Sequence, residues 1–420
     1  MTRAMKDSGV EWIGLIPERW KIIRNKYLMT KVKIIKQVYE QEPILSLTMN
    51  GVIKRDLDNP TGKMPTTFDG YQILKPNNLL MCLFDIDVTP RCIGIISEYG
   101  LSSPAYSQFV LNIELNTKYA YYYYLNLDFT KELLHLAKNL RHSLTEEQLG
   151  YVPVPLPPLP EQQAIADYLD DKCAQIDNIT ATINEQIEVL KQYKKSVITE
   201  AVTKGLNPNV PMKDSGVEWI GQIPEHWEVI KGKYRLKLLN RPVKENDEVI
   251  TCFRDGEVTL RSKRREDGFT ISLQETGYQG INPGDLVVHG MDGFAGAIGI
   301  SDSRGKATPV LNVLDTKENK KFFMYYLRTL AFTEVFIALS TGIRVRSCDT
   351  NWNKLRQLVY LIPPLSEQQA IADYLDDKCA KIDAVIADKQ AQLETLAAYK
   401  KSLIYECVTG KKSVPGFEEA

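Results

Sequence analysis

The sequence predicts an α+β protein in which two mixed α/β globular domains are each followed by a long helix. Three observations lead to this prediction. A stretch of 21 residues occurs twice, as PPLPEQQAIADYLDDKCAQID at 157–177 and as PPLSEQQAIADYLDDKCAKID at 363–383, with 19 identical positions. A stretch of 16 residues occurs at 5–20 and again at 212–227, with 14 identical positions. Each copy of the first stretch begins an apolar heptad pattern that continues beyond it. The chain is therefore an internal duplication of whole domains, since stacked repeat units have much shorter periods of about 20–50 residues.

Length and composition are ordinary for a globular protein with two or three domains. The chain has 420 residues, is 44% hydrophobic and 25% charged, and carries a formal net charge of −1. It contains no run of about 18 apolar residues, so we expect no membrane helix, and its first residues lack a signal-peptide pattern. Seven scattered cysteines without a CxxC pair and four histidines without ligand spacing predict a cytoplasmic protein with no metal.

Two variable blocks lie between the repeats and have diverged much further than the repeats themselves. Some landmarks still correspond, such as LLMCLFD at 79–85 with LVVHGMD at 286–292, and YYYYL at 121–125 with FMYYL at 323–327. Short β-branched runs bounded by Gly, Pro and Asn predict strands and turns. Helical spacing continues from the tyrosine-rich pieces through 128–138 and 328–338. We therefore expect five segments: a domain at 1–156, a helix at 157–206, a domain at 207–362, a helix at 363–412 and a tail at 413–420.

The two long helices carry an apolar seam at seven-residue intervals, which is typical of a coiled coil. The predicted seam residues are Leu169, Ile176, Ile183, Leu190 and Val197 in the first helix, and Leu375, Ile382, Leu396 and Leu403 in the second. Lys389 interrupts the second series. A helix from Glu161 to Lys204 would be about 65 Å long, at about 1.5 Å per residue. Such a helix needs a partner for its apolar stripe, and the nearest partner is its own duplicate. We expect antiparallel pairing, with a pseudo-two-fold axis between the halves.

These motifs resemble those of the specificity subunits of type I restriction-modification systems. The motif PPL-x-EQ-x-x-I-A-x-Y-L-D follows each variable block, and GVEWIG-x-IP-x-x-W precedes each one, so the resemblance covers essentially the whole chain. It implies two target recognition domains, each reading one half of a bipartite double-stranded DNA site. It also implies that the helices fix the spacer and dock two adenine methyltransferase (modification) subunits, which in turn support restriction subunits. The subunit itself would have no catalytic activity and no cofactor.

An antiparallel helix pair would set the distance between the two DNA half-sites. Half-sites read from one side of DNA lie one or two helical turns apart, and one turn is about 34–36 Å. The helices would then act as a ruler. Because the two variable blocks differ in their surface residues, the target would be asymmetric and interrupted, unlike the palindrome of a homodimer.

Catalytic signatures are missing from the sequence. Arg304-Gly305-Lys306-Ala307 ends like a P-loop, but Ile300 stands at the first glycine position and Ala307 replaces Ser or Thr. Gly290, Gly293, Gly296 and Gly299 do not form G-x-G-x-x-G and predict a tight loop in a β-rich region. Because these catalytic motifs are missing, we predict a non-enzymatic protein. The sequence also leaves open a second function, a coiled-coil scaffold with two protein-binding domains and no nucleic acid.

Candidate DNA contacts come from basic and polar loops of the two blocks. A cluster at 261–265 holds four basic residues in five, and two polar, basic segments precede the two PPL motifs. A solvated turn explains such a cluster equally well. The predicted contacts are Lys54, Arg55, Lys63, Arg91, Arg141, His142 and Ser143 in the first block, and Arg254, Arg261, Lys263, Arg264, Arg265, Arg344, Arg346 and Ser347 in the second. Sequence alone cannot separate base-reading side chains from phosphate-binding ones.

Overall fold

The structure is a computed structural model that describes residues 3–60, 64–89, 91–137, 142–264, 275–338 and 350–415. The chain divides into two compact units. The first comprises Met1–Ile183 together with Ala391–Ala420, and the second comprises Asn184–Gln390. Each unit therefore contains one variable block with its lead-in, and a piece of each of the two long helices. This division differs from the five predicted segments because it assigns each helix to two units.

The first unit begins with short strands and ends in a long helix. Its strands are β1 Met5–Asp7, β2 Leu15–Pro17, β3 Lys21–Arg24, β4 Met29–Val32, β5 Leu45–Thr48, β6 Gly51–Lys54, β7 Gln72–Leu74, β8 Leu79–Met81, β9 Ile93–Ile95, β10 Gly100–Ser102, β11 Ser107–Leu111 and β12 Pro153–Leu156. Its helices are α1 Thr117–Thr130, α2 Glu146–Gly150 and the start of α3 Leu159–Lys204.

The second unit repeats this order of elements with small additions. Its strands are β13 Met212–Asp214, β14 Gln222–Pro224, β15 Glu228–Lys231, β16 Leu236–Leu238, β17 Ile250–Cys252, β18 Val258–Leu260, β19 Gln279–Ile281, β20 Leu286–His289, β21 Ile298–Ile300, β22 Gly305–Ala307, β23 Leu311–Thr316 and β24 Val359–Ile362. Its helices are α4 Arg261–Arg264, α5 Lys320–Phe332, α6 Val335–Ala338, α7 Trp352–Leu355 and the start of α8 Leu365–Val408.

Sheet topology is the same in both units. The central antiparallel sheet has the order β4-β11-β8-β9 in the first unit and β16-β23-β20-β21 in the second. The hairpin β5-β6 corresponds to β17-β18, and the pair β7-β10 corresponds to β19-β22. The strand that leads into each long helix pairs with the strand after the lead-in repeat, as β12 with β3 and β24 with β15. Two diverged sequences thus build one scaffold, since the landmark segments at 79–85 and 286–292 begin equivalent strands.

The tyrosine-rich segments form α1 and α5, but the helical spacing does not continue as predicted. Helix α1 stops at Thr130 because Lys131 adopts a left-handed conformation (φ 55°), and a 3-10 turn follows. Helix α5 stops at Phe332, and Glu334 is likewise left-handed (φ 61°) before the short α6. The Lys131 ammonium binds the Asp128 carboxylate at 2.8 Å and the Thr89 carbonyl oxygen at 2.9 Å. The local bond to Asp128 and the long-range bond to Thr89 stabilise the bend at Lys131.

Each long helix contributes to the core of both units. In the first unit, Leu169 and Ile176 of α3 share a hydrophobic cluster with Leu403 and Ile404 of α8. In the second unit, Val197 of α3 shares a cluster with residues of α8 that include Leu375 and Ile382. Among the predicted seam residues, Leu190 and Leu396 are half-buried, and the other seven are buried. The helices are 46 and 44 residues long, and each buries its stripe against other elements as its length requires.

Polar contacts between the helix pieces run in opposite chain directions. In the second unit, Gln186 accepts from Lys389 at 2.6 Å, and Lys194 contacts Asp383 at 2.6 Å. In the first unit, Lys400 contacts Asp177 at 2.6 Å. Adding the repeat offset of 206 to Lys194 gives Lys400, and subtracting it from Asp383 gives Asp177. The same ion pair therefore occurs in both units, with the roles of the two helices exchanged.

The lead-in repeats have an equivalent place in both units. The Trp20 indole donates to Glu161 near the start of α3, and the Trp227 indole donates to Glu367 near the start of α8, each at 3.0 Å. Both indoles are fully buried. Among the described residues, no helix is both long enough and apolar enough to cross a membrane.

Candidate nucleic-acid interface

A hairpin packs closely against the edge strand of the central sheet in each unit. A Cβ atom at Gly94 of β9 would lie 2.8 Å from Val52 of β6, and one at Gly299 of β21 would lie 2.7 Å from Val258 of β18. Glycine is required at both positions because any larger residue would push the hairpin away. The tips of the two hairpins differ in chemistry. Met49 and Asn50 form the first tip, whereas 253–257 (FRDGE) forms the second.

The second hairpin forms one wall of a polar cleft of about 620 Å³. Other walls come from the end of β20, from α4 and from the turn before β23. The cleft is lined by Ile250, Thr251, Cys252, Phe253, Arg254, Asp255, Arg261, Arg264, His289, Asp292, Thr308 and Leu311. Three predicted contacts, Arg254, Arg261 and Arg264, thus meet in one place. They are supplied by the hairpin and by the short helix that follows it.

Glycines allow the loop after β20 to approach its neighbours closely. A Cβ atom at Gly293 would lie 2.5 Å from the Thr350 hydroxyl, and one at Gly296 would lie 2.7 Å from the Arg254 carbonyl oxygen. Gly296 also has φ +97°, which side-chain-bearing residues rarely adopt. The glycine series at 290–299 therefore forms a tight loop, as the sequence predicts, and this loop closes one side of the cleft.

Two arginines of the cleft, Arg254 and Arg264, are held by carboxylates. Arg254 lies 2.8 Å from Asp292, and its side chain is 67% exposed. Arg264 contacts Asp255 at 2.6 Å and Glu257 at 2.8 Å, and its guanidinium lies 4.0 Å from the centre of the Phe253 ring. Burial would raise the pKa of Asp255, but hydrogen bonds from Arg264 and from a backbone amide hold it below its ordinary value. Exposed ion pairs of this kind are worth about 0–1 kcal/mol, so an arginine can exchange its carboxylate for a DNA acceptor at low cost.

Two other predicted contacts of this region have different surroundings. Arg261 donates through Nε to the Thr251 hydroxyl at 2.9 Å, which fixes its guanidinium beside the cleft. Lys263 faces another part of the surface, where its ammonium contacts Ser303 at 2.6 Å and Asp302 at 3.2 Å. Lys263 therefore does not line the cleft with its neighbours.

His289 lines the same cleft and is a polar residue that the sequence analysis did not select. It is the last residue of β20 and is half-buried. Its Nδ1 atom accepts the backbone N–H groups of Met291 at 3.2 Å and Asp292 at 3.0 Å. Burial lowers the pKa of His289 below its ordinary value. A lone histidine in an apolar strand carries no spacing signal, so only its tertiary surroundings reveal it.

The predicted contacts of the first unit are more dispersed. Lys54 ends β6 and is exposed, and the Arg55 amide donates to the Ile44 carbonyl at 2.8 Å. Arg91 donates to the Tyr121 hydroxyl at 3.1 Å and lines a cavity of about 460 Å³ beside Met49 and Asn50. His142 is exposed and left-handed (φ 41°), and its Nδ1 lies 2.8 Å from an Asp87 oxygen.

Several predicted contacts lie outside the described residues. They are Lys63, Arg141, Arg265, Arg344, Arg346 and Ser347. Ser143 is described and is half-buried, next to the undescribed 138–141. Within the described ranges, no group of three or more His, Cys, Asp or Glu side chains is placed to hold a metal ion.

Comparisons with known proteins point to one family. The model of the type I restriction modification DNA specificity domain matches residues 94–189. The putative type I restriction enzyme MjaX specificity subunit of Methanocaldococcus jannaschii is 28% identical over 280 residues, covering 64% of this chain and 61% of the relative. The type I restriction enzyme MjaVIII specificity subunit of the same organism is 29% identical over 284 residues, covering 62% of each chain. The chain resembles the specificity subunits of type I restriction-modification systems. It spans about three fifths of the length of these curated relatives.

Solved structures of specificity subunits share the fold of this chain. A chain from a structure on complex assembly and conformational transition of the type I restriction-modification system matches with a TM-score of 0.68 at 12% identity. That match covers 94% of this chain and 99% of the other. The HsdS subunit from Thermoanaerobacter tengcongensis matches with a TM-score of 0.50 at 13% identity, over 94% and 98% of the two chains. At such low identity these matches establish the mixed α/β fold with long helices and nothing about individual contacts.

Proposed function

We propose that this chain is the non-catalytic DNA-sequence-recognition subunit of a type I restriction-modification complex. Residues 1–156 and 207–362 are its two recognition domains, and each reads one half of an asymmetric bipartite DNA site. The proposal rests on one observation: the two domains share the same scaffold, but the tips of their equivalent hairpins have different residues. Equivalent hairpins present Met49 and Asn50 in one domain and Arg254, Asp255 and Glu257 in the other. Surfaces that differ on a constant scaffold are suited to reading two different sequences.

The long helices, 157–206 and 363–412, fix the distance between the two half-sites in this proposal. They pair as an antiparallel coiled coil with a pseudo-two-fold axis. The ion pair Lys194–Asp383 and its exchanged copy Lys400–Asp177 support this arrangement, because a two-fold operation converts one pair into the other. The buried seam residues of both helices support it as well.

The remaining helix faces dock two modification subunits, which place an adenine methyltransferase at each half-site and support the restriction subunits. The chain has a net charge of −1, whereas proteins that bind DNA alone are usually basic. The modification subunits therefore supply part of the positive surface that surrounds the DNA. The complex acts in the cytoplasm, where the chromosome and its unmodified sites are accessible.

Reconstitution tests this proposal. The chain is combined with its modification subunit, and methylated adenines are mapped on random-sequence DNA. The expected result is methylation at one interrupted, asymmetric sequence that requires this chain. Methylation without sequence preference, or methylation that does not need this chain, would contradict the proposal. The second outcome, together with capture of protein ligands by residues 1–156 or 207–362, would favour a scaffold with two protein-binding domains.

A further inference from the structure

The two ring nitrogens of His289 have different surroundings. Two backbone amides, of Met291 and Asp292, donate to Nδ1. That nitrogen must therefore carry a lone pair, and the neutral imidazole carries its proton on Nε2. In the described part of the chain, Nε2 has no hydrogen-bond partner. The loop after β20 thus fixes the ring as a neutral donor in the wall of the cleft.

The surroundings of His289 favour a neutral acceptor over a phosphate. The cleft contains the carboxylates of Asp255 and Asp292, each already paired with an arginine. The exposed Arg254 suits the DNA backbone, whereas the Nε2–H group of the neutral imidazole has no positive charge with which to attract a phosphate. A recessed N–H donor suits the acceptors on base edges in the major groove, which are N7 of purines, O6 of guanine and O4 of thymine.

The equivalent position of the first domain carries a different side chain on the same backbone. The amide of His289 donates to the Ala297 carbonyl at 3.0 Å, and the amide of Cys82 donates to the Cys92 carbonyl at 2.8 Å. Both bonds extend the pairing of equivalent strands by one residue. The Cys82 side chain is 3% exposed and lies 3.3 Å from the Phe84 carbonyl oxygen. The Cys82 side chain therefore offers no hydrogen-bond donor to a ligand. The side chain at this strand end thus differs between the two domains, as expected for a residue that distinguishes two DNA sequences.

We propose that the Nε2–H group of His289 reads a base-edge acceptor in the half-site recognised by residues 207–362. The proposal rests on the function proposed above and names one specificity-determining residue for it. Arg254 beside it holds the backbone at the rim of the cleft, and the loop 290–296 keeps the imidazole in its donor tautomer. The first domain, with Cys82 at this place, reads its half-site through other side chains.

Two substitutions distinguish the proposed contact of His289 Nε2 with a base from the role of Nδ1 in stabilising the loop after β20. In His289→Asn, the side-chain oxygen takes the place of Nδ1 and accepts the two amides, while its short amide group does not reach the Nε2 position. In His289→Gln, the terminal amide reaches the Nε2 position, but the loop loses its acceptor. His135→Asn is the matched control, because His135 is 79% exposed and belongs to the first unit, whereas the residues that line the cleft belong to the second.

Each variant is reconstituted with the modification subunit, and methylated sites are mapped on DNA randomised in both half-sites. We expect His289→Asn to lose roughly tenfold discrimination at one base pair of one half-site, with its melting temperature unchanged. We expect His289→Gln to retain most of that discrimination with a lowered melting temperature. The control should leave both half-sites unchanged.

The outcomes separate this inference from the function on which it rests. If the wild-type complex methylates without sequence preference, the proposed function is wrong. If the wild-type complex is specific and His289→Asn keeps full discrimination at every base pair, the role of His289 alone is wrong. Equal relaxation of both half-sites in His289→Asn would also overturn it, because that result would indicate a general structural effect.

Discussion

The Trp20 indole donates to the Glu161 carboxylate at 3.0 Å, and both side chains are buried. Arg3 also binds this carboxylate, and Arg19 lies 3.8 Å from it. The equivalent carboxylate of Glu367 accepts from Trp227, but it is 41% exposed and lies beside His226. The duplicated motif therefore connects the lead-in to the helix in both units, with a buried carboxylate in one unit and a partly exposed one in the other.

This difference predicts unequal costs for the same substitution. Trp20→Phe removes a hydrogen bond to a buried charged group, which costs about 1.5–3 kcal/mol, in addition to the packing that the smaller ring loses. Trp227→Phe loses similar packing, but water can replace the bond to Glu367, so its total cost should be smaller. Denaturant unfolding of the two variants gives the comparison. An equal or larger loss of stability for Trp227→Phe would contradict the structural account.

Because the pKa of His289 is lowered in the folded protein, we expect the stability of the protein to depend on pH. Burial and the nearby Arg254 lower its pKa from the ordinary 6.5, although Asp292 opposes them. The unfolded chain then binds a proton at higher pH than the folded chain. The contribution to stability is complete above about pH 6.5 and is lost as the pH falls from there through the lower folded pKa, by at most about 1.4 kcal/mol per pH unit.

The matched variant for this pH effect is His289→Asn. The other histidines and the charged groups that line the cleft, Arg254, Asp255, Arg261, Arg264 and Asp292, are the same in both proteins. The difference in unfolding free energy between wild type and variant should therefore shift against the wild type between pH 7.5 and pH 5. A difference that stays constant over this range would show that His289 folds with an unperturbed pKa.

We expect Arg254 to contact the DNA backbone. Arg254→Gln should weaken binding of the reconstituted complex to specific and random DNA by a similar factor. It should also reduce the slope of log affinity against log salt concentration by about 1, because one fewer counterion is released. Arg235→Gln is the matched control, since Arg235 pairs with Glu228 and Glu318 outside the cleft. A loss confined to one specific sequence would instead identify Arg254 as a base-reading residue.

The organisation of the chain could be predicted from its sequence because duplication and periodicity are local signals. The sequence predicts a first long helix that includes Glu161–Lys204, and the helix occupies Leu159–Lys204. Gly205 and Gly410 follow the two helices with positive φ. The candidate site was harder to predict. The carboxylate that pairs with Arg254 belongs to Asp292, which is 38 residues further along the chain. Only the pairing of the strands brings these two residues together. His289 becomes a donor through loop amides, which no pattern of residue types reveals.

The proposed role of the helices predicts how the DNA spacer changes with their length. Four residues inserted after Thr182, together with four after Gln390, lengthen both helices by about 6 Å, or roughly two base pairs. Methylation mapping should then give the same two half-sequences with a longer gap between them. Replacing four residues at the same places, without changing the length, is the control. An unchanged gap in the lengthened protein would contradict the role of the helices as a ruler.

The central claim is that each variable domain reads its own half of the target. The most direct test exchanges residues 21–156 for the corresponding segment of another specificity subunit and maps methylated adenines in the reconstituted complex. We expect one half-site to become that of the donor protein, while the half read by residues 207–362 and the gap remain the same. A change in both half-sites, or in neither, would contradict the claim.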